Sequence, residues 1–450
     1  MKITNLGPIK EGEITLDTFT IFWGNNNTGK TFASYFLYGI LKELSQLTIE
    51  VIDSDALTKE ILDIGSVGIN YEVYKAAIKD YAEKYLKDNF KDILAKTFNT
   101  DKEMFSKTTF EFSYENEIFD LMSKDEIGTS DFEYVFRSFK GQEYKYTATK
   151  KDDTYFIMTN VSDGIVNQDG SEVQPSTIYA RVNRHIMTIV ENMFINRRKV
   201  MYIPAERIGI NTFRKEIGDS RKESYDLLVN SENEGKKASK YPLPIADYIQ
   251  FLFSIPDIQG SYKGRKNSFS TEIMELEDKV VKGIFEYDEV VDEYTYRRIY
   301  RKVSETNHYR KEKIPFYITS SSVKSLFGLD AFLERANRGD ILIIDEPEMN
   351  LHPENQVEIC KVLYELSKKG LHVIISTHSN YLIRKLLNFS LFDKDLFVNV
   401  FEFSQEQIKK YDLLAHHDYI ENFDKVNLFL DEEYYSIIEE RAADDLGGEI

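Results

Sequence analysis

The chain has 450 residues, 42% hydrophobic and 13% aromatic, enough apolar surface for a large core divided into two or three domains. A formal net charge of −19 argues against a surface coated throughout for nucleic acid, and a single cysteine, Cys360, excludes an internal disulfide and a cysteine-built zinc site. No leader pattern opens the sequence and no run approaches the roughly 20 apolar residues that span a bilayer, so a cytoplasmic protein without a membrane partner is expected.

Residues 1–46 read as a strand pair, a loop and a helix from Thr31 to Leu44. The apolar run Phe19 to Trp23 is followed by Gly24-Asn25-Asn26-Asn27-Thr28-Gly29-Lys30-Thr31, which is G-x-x-x-x-G-K-[ST] between strand and helix. Glycines let such a loop turn its N–H groups onto phosphate oxygens, and the helix start adds its positive dipole end. Lys30 is placed to reach the β- and γ-phosphates of a nucleotide, and Thr31 to ligate Mg²⁺.

Residues 47–198 read as an inserted region. Helical periodicity over 51–98 predicts amphipathic helices, and the alternation at Thr109 to Tyr114, Phe132 to Phe136 and Tyr144 to Tyr146 predicts an antiparallel meander. A helix from about Thr177 to Arg198 leads to a core strand within 199–210, whose end carries Glu206 and Arg207. Arg207 is either a phosphate or partner contact or a plain salt bridge.

Residues 211–313 read as a helical and β subdomain. Seven cations, Arg297, Arg298, Arg301, Lys302, Arg310, Lys311 and Lys313, interleave there with Tyr296, Tyr300 and Tyr309. They form either a solvated strand face or a clamp on a nucleic-acid backbone.

Residues 314–390 hold the remaining chemistry. Ser320, Ser321 and Ser322 open a helix, where three hydroxyls either cap it or face a γ-phosphate held by another subunit. Ile341 to Ile344 read as a buried parallel strand ending in Asp345 and Glu346. Asp345 is placed to hold Mg²⁺, and Glu346 to orient and deprotonate an attacking water. A second buried strand ends at His378, where ligands of open α/β sheets bind, and His378 is expected to act there as a catalytic switch. In the extension 391–450, Asp393-Lys394-Asp395 reads as a loop. His416-His417-Asp418 lack a fourth metal ligand at sensible spacing.

This order of motifs resembles the ABC-type ATPases of the SMC, RecF and OLD group. The resemblance rests on Gly24 to Thr31 with its paired Asn26 and Asn27, on Ile341 to Pro353, and on Ser376-Thr377-His378-Ser379. It implies an α/β P-loop NTPase with an ABC-type head, a mostly parallel core sheet, an antiparallel meander and an inserted helical and β region. It further implies two heads sandwiching two ATP molecules, with Ser321 and Ser322 acting in trans, Asn350 to His352 at the dimer seam and His378 sensing the γ-phosphate. The family usually has glycine after the signature serines, where this chain has Val323. The stretch after His378 is shorter than the ~100–150 residues of a typical domain, so the nuclease of OLD-type proteins would have to come from a partner chain. The resemblance thereby points to the ATPase subunit of an anti-phage system of PARIS or Septu type, with a separate effector nuclease. A RecF- or SMC-like repair ATPase that binds DNA is the alternative.

Overall fold

The computed structural model describes residues 1–48, 52–111, 132–137, 143–159, 174–194, 198–217, 241–262, 267–288, 293–301, 307–309, 312–392, 398–404, 407–413 and 421–447. They form two units: Met1–Gly39, Leu94–Phe110 and Val200–Ile450 make one, and Ile40–Ile93 with Glu111–Lys199 the other. The strands in chain order are β1 (Lys2–Leu6), β2 (Ile9–Glu13), β3 (Phe19–Gly24), β4 (Ser66–Asn70), β5 (Thr109–Glu111), β6 (Phe132–Arg137), β7 (Glu143–Lys151), β8 (Thr154–Thr159), β9 (Val200–Ile203), β10 (Gly283–Asp288), β11 (Glu293–Arg301), β12 (Asn307–Tyr309), β13 (Ile314–Pro315), β14 (Ile341–Asp345), β15 (His372–Thr377), β16 (Val398–Ser404) and β17 (Gln407–Tyr411). The helices are α1 (Lys30–Gln46), α2 (Ser54–Ile64), α3 (Tyr71–Phe98), α4 (Pro175–Phe194), α5 (Arg207–Thr212), α6 (Leu243–Tyr262), α7 (Ser270–Glu275), α8 (Ser321–Leu333), α9 (Pro353–Lys368), α10 (Asn380–Phe392) and α11 (Glu421–Gly447).

The first unit is built on a nine-stranded sheet of order β5-β1-β2-β17-β16-β3-β15-β14-β9. From β16 to β9 every neighbouring pair is parallel. The hairpins β1–β2 and β16–β17 are antiparallel. Ile341 to Ile344 of β14 and Val373 to Ile375 of β15 are buried, which is why these strands are nearly unbroken runs of branched apolar residues. Helix α9 starts with His352 as N-cap and Pro353 in its first turn, and it buries Ile359, Cys360, Leu363 and Leu366.

Register decides what meets at the carboxyl edge. Trp23 of β3 pairs with Thr377 of β15, and Ser376 of β15 pairs with Asp345 of β14. The residues following these three strands, read from distant parts of the chain, therefore emerge side by side.

The second unit holds the antiparallel sheet β4-β8-β7-β6 together with α2 and α4. Two expectations need correction. The region 51–98 is not purely helical: Gly65, in the left-handed conformation at φ 83°, caps α2, and β4 then buries Val67 and Ile69 on one face. Thr109 to Glu111 do not belong to the meander, because β5 lies at the edge of the large sheet beside β1. In the extension, Gln407–Tyr411 forms β17, paired with β16. Residues 112–131, including Phe112 to Tyr114, lie outside the described residues, as do Asp393 to Asp395 and His416 to Asp418.

Candidate functional site

The loop Gly24 to Thr31 links β3 to α1. Both of its motif glycines are required by geometry. Gly24 has φ 137°, and a Cβ there would fall 2.2 Å from the carbonyl oxygen of Phe403 on β16; Gly29 has φ 99°, with Ile9 2.7 Å from where its Cβ would be. Asn27 takes φ 64°, a region asparagine tolerates, and Thr28 Oγ1 donates to Asn25 O at 2.8 Å. Asn25, Asn26 and Asn27 are exposed at the tip.

Lys30 is buried with its ammonium folded over the loop, donating to Gly24 O at 3.0 Å and to Asn25 O at 2.7 Å. An ammonium has three donors, so one remains for a phosphate oxygen. Burial pushes its pKa down to about 8, against the opposing pull of Glu346, Asp345 and Glu348. Thr31 is exposed at the first turn of α1.

Asp345 is buried at the end of β14. Its Oδ1 accepts from Ser376 Oγ at 2.5 Å, and its Oδ2 accepts from the Tyr202 hydroxyl. Burial lifts its carboxyl above the usual carboxylate range, while those two donors hold it down. Burial and the neighbouring Asp345 drive the Tyr202 phenol upward, so Tyr202 keeps its proton to donate.

Glu346 follows at φ 48°, a left-handed backbone unusual for glutamate. Its N–H donates to Ser376 O at 2.9 Å, and its carbonyl accepts from Arg207 Nη2 at 2.7 Å. The side chain is one-third exposed, and its Oε1 lies 3.6 Å from His378 Nε2. Burial, then Lys30, lowers the His378 pKa; Glu346 and the Gly24 carbonyl oppose them. The loop, the acidic pair and the histidine, as read from the sequence, come together.

Arg207 is turned into the protein and, among the described residues, forms no ion pair. It is 2% exposed, and its guanidinium donates to four carbonyls: Pro204 and Asp345 from Nη1, Glu346 from Nη2 and Ser325 from Nε. One side chain thus fastens the acidic turn to the helix that carries the signature serines. Asn211 Nδ2 adds a bond to Lys324 O at 2.7 Å.

Ser320, rather than its successors, is the N-cap of α8, accepting from Val323 N–H at 3.4 Å. Ser321 is exposed in the first turn, and Ser322 Oγ lies 2.9 Å from Ser320 Oγ. Val323 packs in the core, which accounts for an apolar residue where the resembled family has glycine.

Among the three cations of this stretch whose side chains are described, two are paired with acids. Arg297 pairs with Glu286 at 2.6 Å, and Lys313 approaches Glu286 at 3.5 Å and Asp288 at 3.9 Å. Arg298 is exposed. Lys302, Arg310 and Lys311 lie outside the described residues, as does the side chain of Arg301.

Sequence reasoning missed Tyr202, Ser376 as a partner of Asp345, and Glu348. The missing signal was register: Tyr202 pairs with Ile343, two residues before Asp345 and on the same face. Mg²⁺ takes oxygen donors and keeps most of them from water and phosphate. The exposed Thr31 hydroxyl and the Asp345 carboxylate are a donor set of that kind.

The family described as AAA ATPase domain matches residues 1–383. The energy-coupling factor transporter ATP-binding protein EcfA of Methanocaldococcus jannaschii is 44% identical over 43 residues, 10% of this chain and 15% of that protein. Its counterpart in Methanococcus maripaludis is 36% identical over 67 residues, 15% of this chain and 23% of that one. The chain therefore spans less than a quarter of the length of these curated relatives. Among solved structures, the Smc head domain with an extended coiled coil bound to the C-terminal domain of ScpA, derived from Pyrococcus furiosus, aligns over 96% of this chain and 98% of that one at 13% identity and a TM-score of 0.31. Among the described residues no helix is long and apolar enough to cross a membrane.

Proposed function

The chain belongs to the AAA ATPase domain family, with the α/β fold of a P-loop ABC-type ATPase, and from that premise we propose that it hydrolyses ATP at the carboxyl ends of β3, β14 and β15. The observation that carries the reading is the convergence of Lys30, Asp345, Glu346 and His378. Lys30 retains one donor, which with the backbone N–H groups from Gly24 to Gly29 would hold the β- and γ-phosphates. Glu346, partly open to solvent, takes the proton of an attacking water, and His378 beside it is held neutral by its surroundings to sense the γ-phosphate. Mg²⁺, held by Thr31 and Asp345, would supply charge neutralisation on the phosphate oxygens.

Ser321 and Ser322 complete the site of a second copy, making ATP the link of a homodimer or larger oligomer. In this reading nucleotide state governs a separate effector, a nuclease, in anti-phage defence; the support is the resemblance of the motifs, together with the pairing of Arg297 and Lys313 with Glu286 and Asp288. The test is purification of Glu346→Gln with ATP and Mg²⁺, measured by light scattering and by nuclease assay. Expected are a doubled or higher mass that Lys30→Ala does not reach, and no DNA cleavage by the chain alone. A monomer under all conditions, or cleavage that survives Lys30→Ala, contradicts the proposal. Tight DNA binding with a steep salt slope would move the reading to a repair ATPase.

A further inference from the structure

Glu348 lies outside the site read from the sequence, two residues beyond Glu346 across Pro347. Its Oε1 accepts two hydrogen bonds, from Thr377 Oγ1 at 2.7 Å and from the His378 N–H at 2.8 Å. Thr377 and His378 end β15, whereas Glu348 belongs to the turn after β14. One carboxylate oxygen therefore ties together the two turns that present Glu346 and His378.

Each side of that pair is anchored differently. On one side, the Glu346 backbone is held by Ser376 O, by Arg207 and by the Met349 N–H, which donates to Glu346 O at 3.0 Å. On the other, the His378 backbone N–H goes to Glu348. The second oxygen, Oε2, is buried without a hydrogen-bond partner. Burial raises this carboxyl, and so does the charge of Glu346; the Thr377 hydroxyl, its own backbone N–H and the His378 N–H oppose them. An unpaired buried carboxylate oxygen is costly in a turn selected for stability alone, and such departures cluster where geometry serves chemistry.

We propose that Glu348 is a positioning residue for ATP hydrolysis, setting the approach of His378 to Glu346 through the bonds of its Oε1. The proposal rests on the reading above, in which Glu346 and His378 act on ATP. Glutamine keeps the Oε1 acceptor and removes the charge; aspartate keeps the charge and falls a methylene short; alanine loses both. The three separate positioning from electrostatics.

The test is steady-state ATP hydrolysis by the full chain and by Glu348→Ala, Glu348→Gln and Glu348→Asp, with thermal melting of each. Alanine and aspartate are expected to lower kcat by about 10–100-fold, the scale of a misplaced catalytic group, with the KM for ATP within about twofold. Glutamine is expected to recover most of that loss. Wild-type kcat in the alanine variant overturns the proposal, as does a glutamine variant no better than aspartate. Should alanine fail to fold, the glutamine and aspartate pair decides alone. Absence of ATP turnover by the wild-type chain would instead remove the reading on which the proposal stands, a result distinguishable from a change confined to Glu348.

Discussion

Two clusters of charge in this chain look alike on paper and differ in the fold. At β10–β13, cations and acids face one another across a sheet surface, Arg297 against Glu286 and Lys313 against Glu286 and Asp288. Such half-exposed pairs contribute little. At the ends of β3, β14 and β15, Lys30 is buried on backbone carbonyls, Asp345 is buried under two hydroxyls, and Glu346 sits on an unfavourable backbone. The difference is desolvation: shifted ionisation appears where burial removes water faster than partners replace it, and that is where chemistry is expected.

The largest effect should come from Lys30→Ala, which removes the cation of the phosphate loop; ATP affinity measured by calorimetry is expected to fall beyond detection, whereas Arg298→Ala leaves it unchanged. Next, Arg207→Met removes four charge-assisted hydrogen bonds, leaving Glu346 O with the Met349 N–H and Pro204 O with the backbone N–H of residue 207, and should lower stability to urea by roughly 3 kcal/mol or more, given the worth of bonds to charged groups. Replacing Arg297 should cost about 1 kcal/mol or less, as for exposed ion pairs.

A pH series sharpens the contrast further. Lys30 carries its proton below about 8 and loses it as pH rises through that value, so ATP affinity should fall by up to about tenfold per pH unit above 8, and Lys30→Arg should flatten the curve. The stability linkage has the opposite sign. Between about 8 and 10.5 the unfolded chain holds the extra proton, so the Lys30 contribution to stability rises with pH there. The smallest effect concerns nucleic acid: Arg298→Ala should change the salt slope of any DNA binding by no more than the ~0.9 of a single phosphate contact.

Much of the site was legible because its residues are contiguous in motifs. The phosphate loop could be read from Gly24, Gly29 and Lys30, and the acidic strand from four apolar residues before Asp345. Arg207 was visible as a residue but not as a clamp, since its partners are carbonyls contributed by 204, 325, 345 and 346. Tyr202 and Glu348 were hidden for a related reason: their roles depend on which strands are neighbours, and on β14 lying between β9 and β15. In the second unit, β4 escaped because helical periodicity runs on both sides of a five-residue strand whose onset is a single left-handed glycine.

The most direct test of the central claim is single-turnover ATP hydrolysis by wild type and Glu346→Gln with Mg²⁺ present. Wild type should cleave bound ATP, and the variant should bind it with similar affinity while cleaving it about 10²–10⁴-fold more slowly, the range lost with a general base. Equal cleavage by the two proteins would contradict the account.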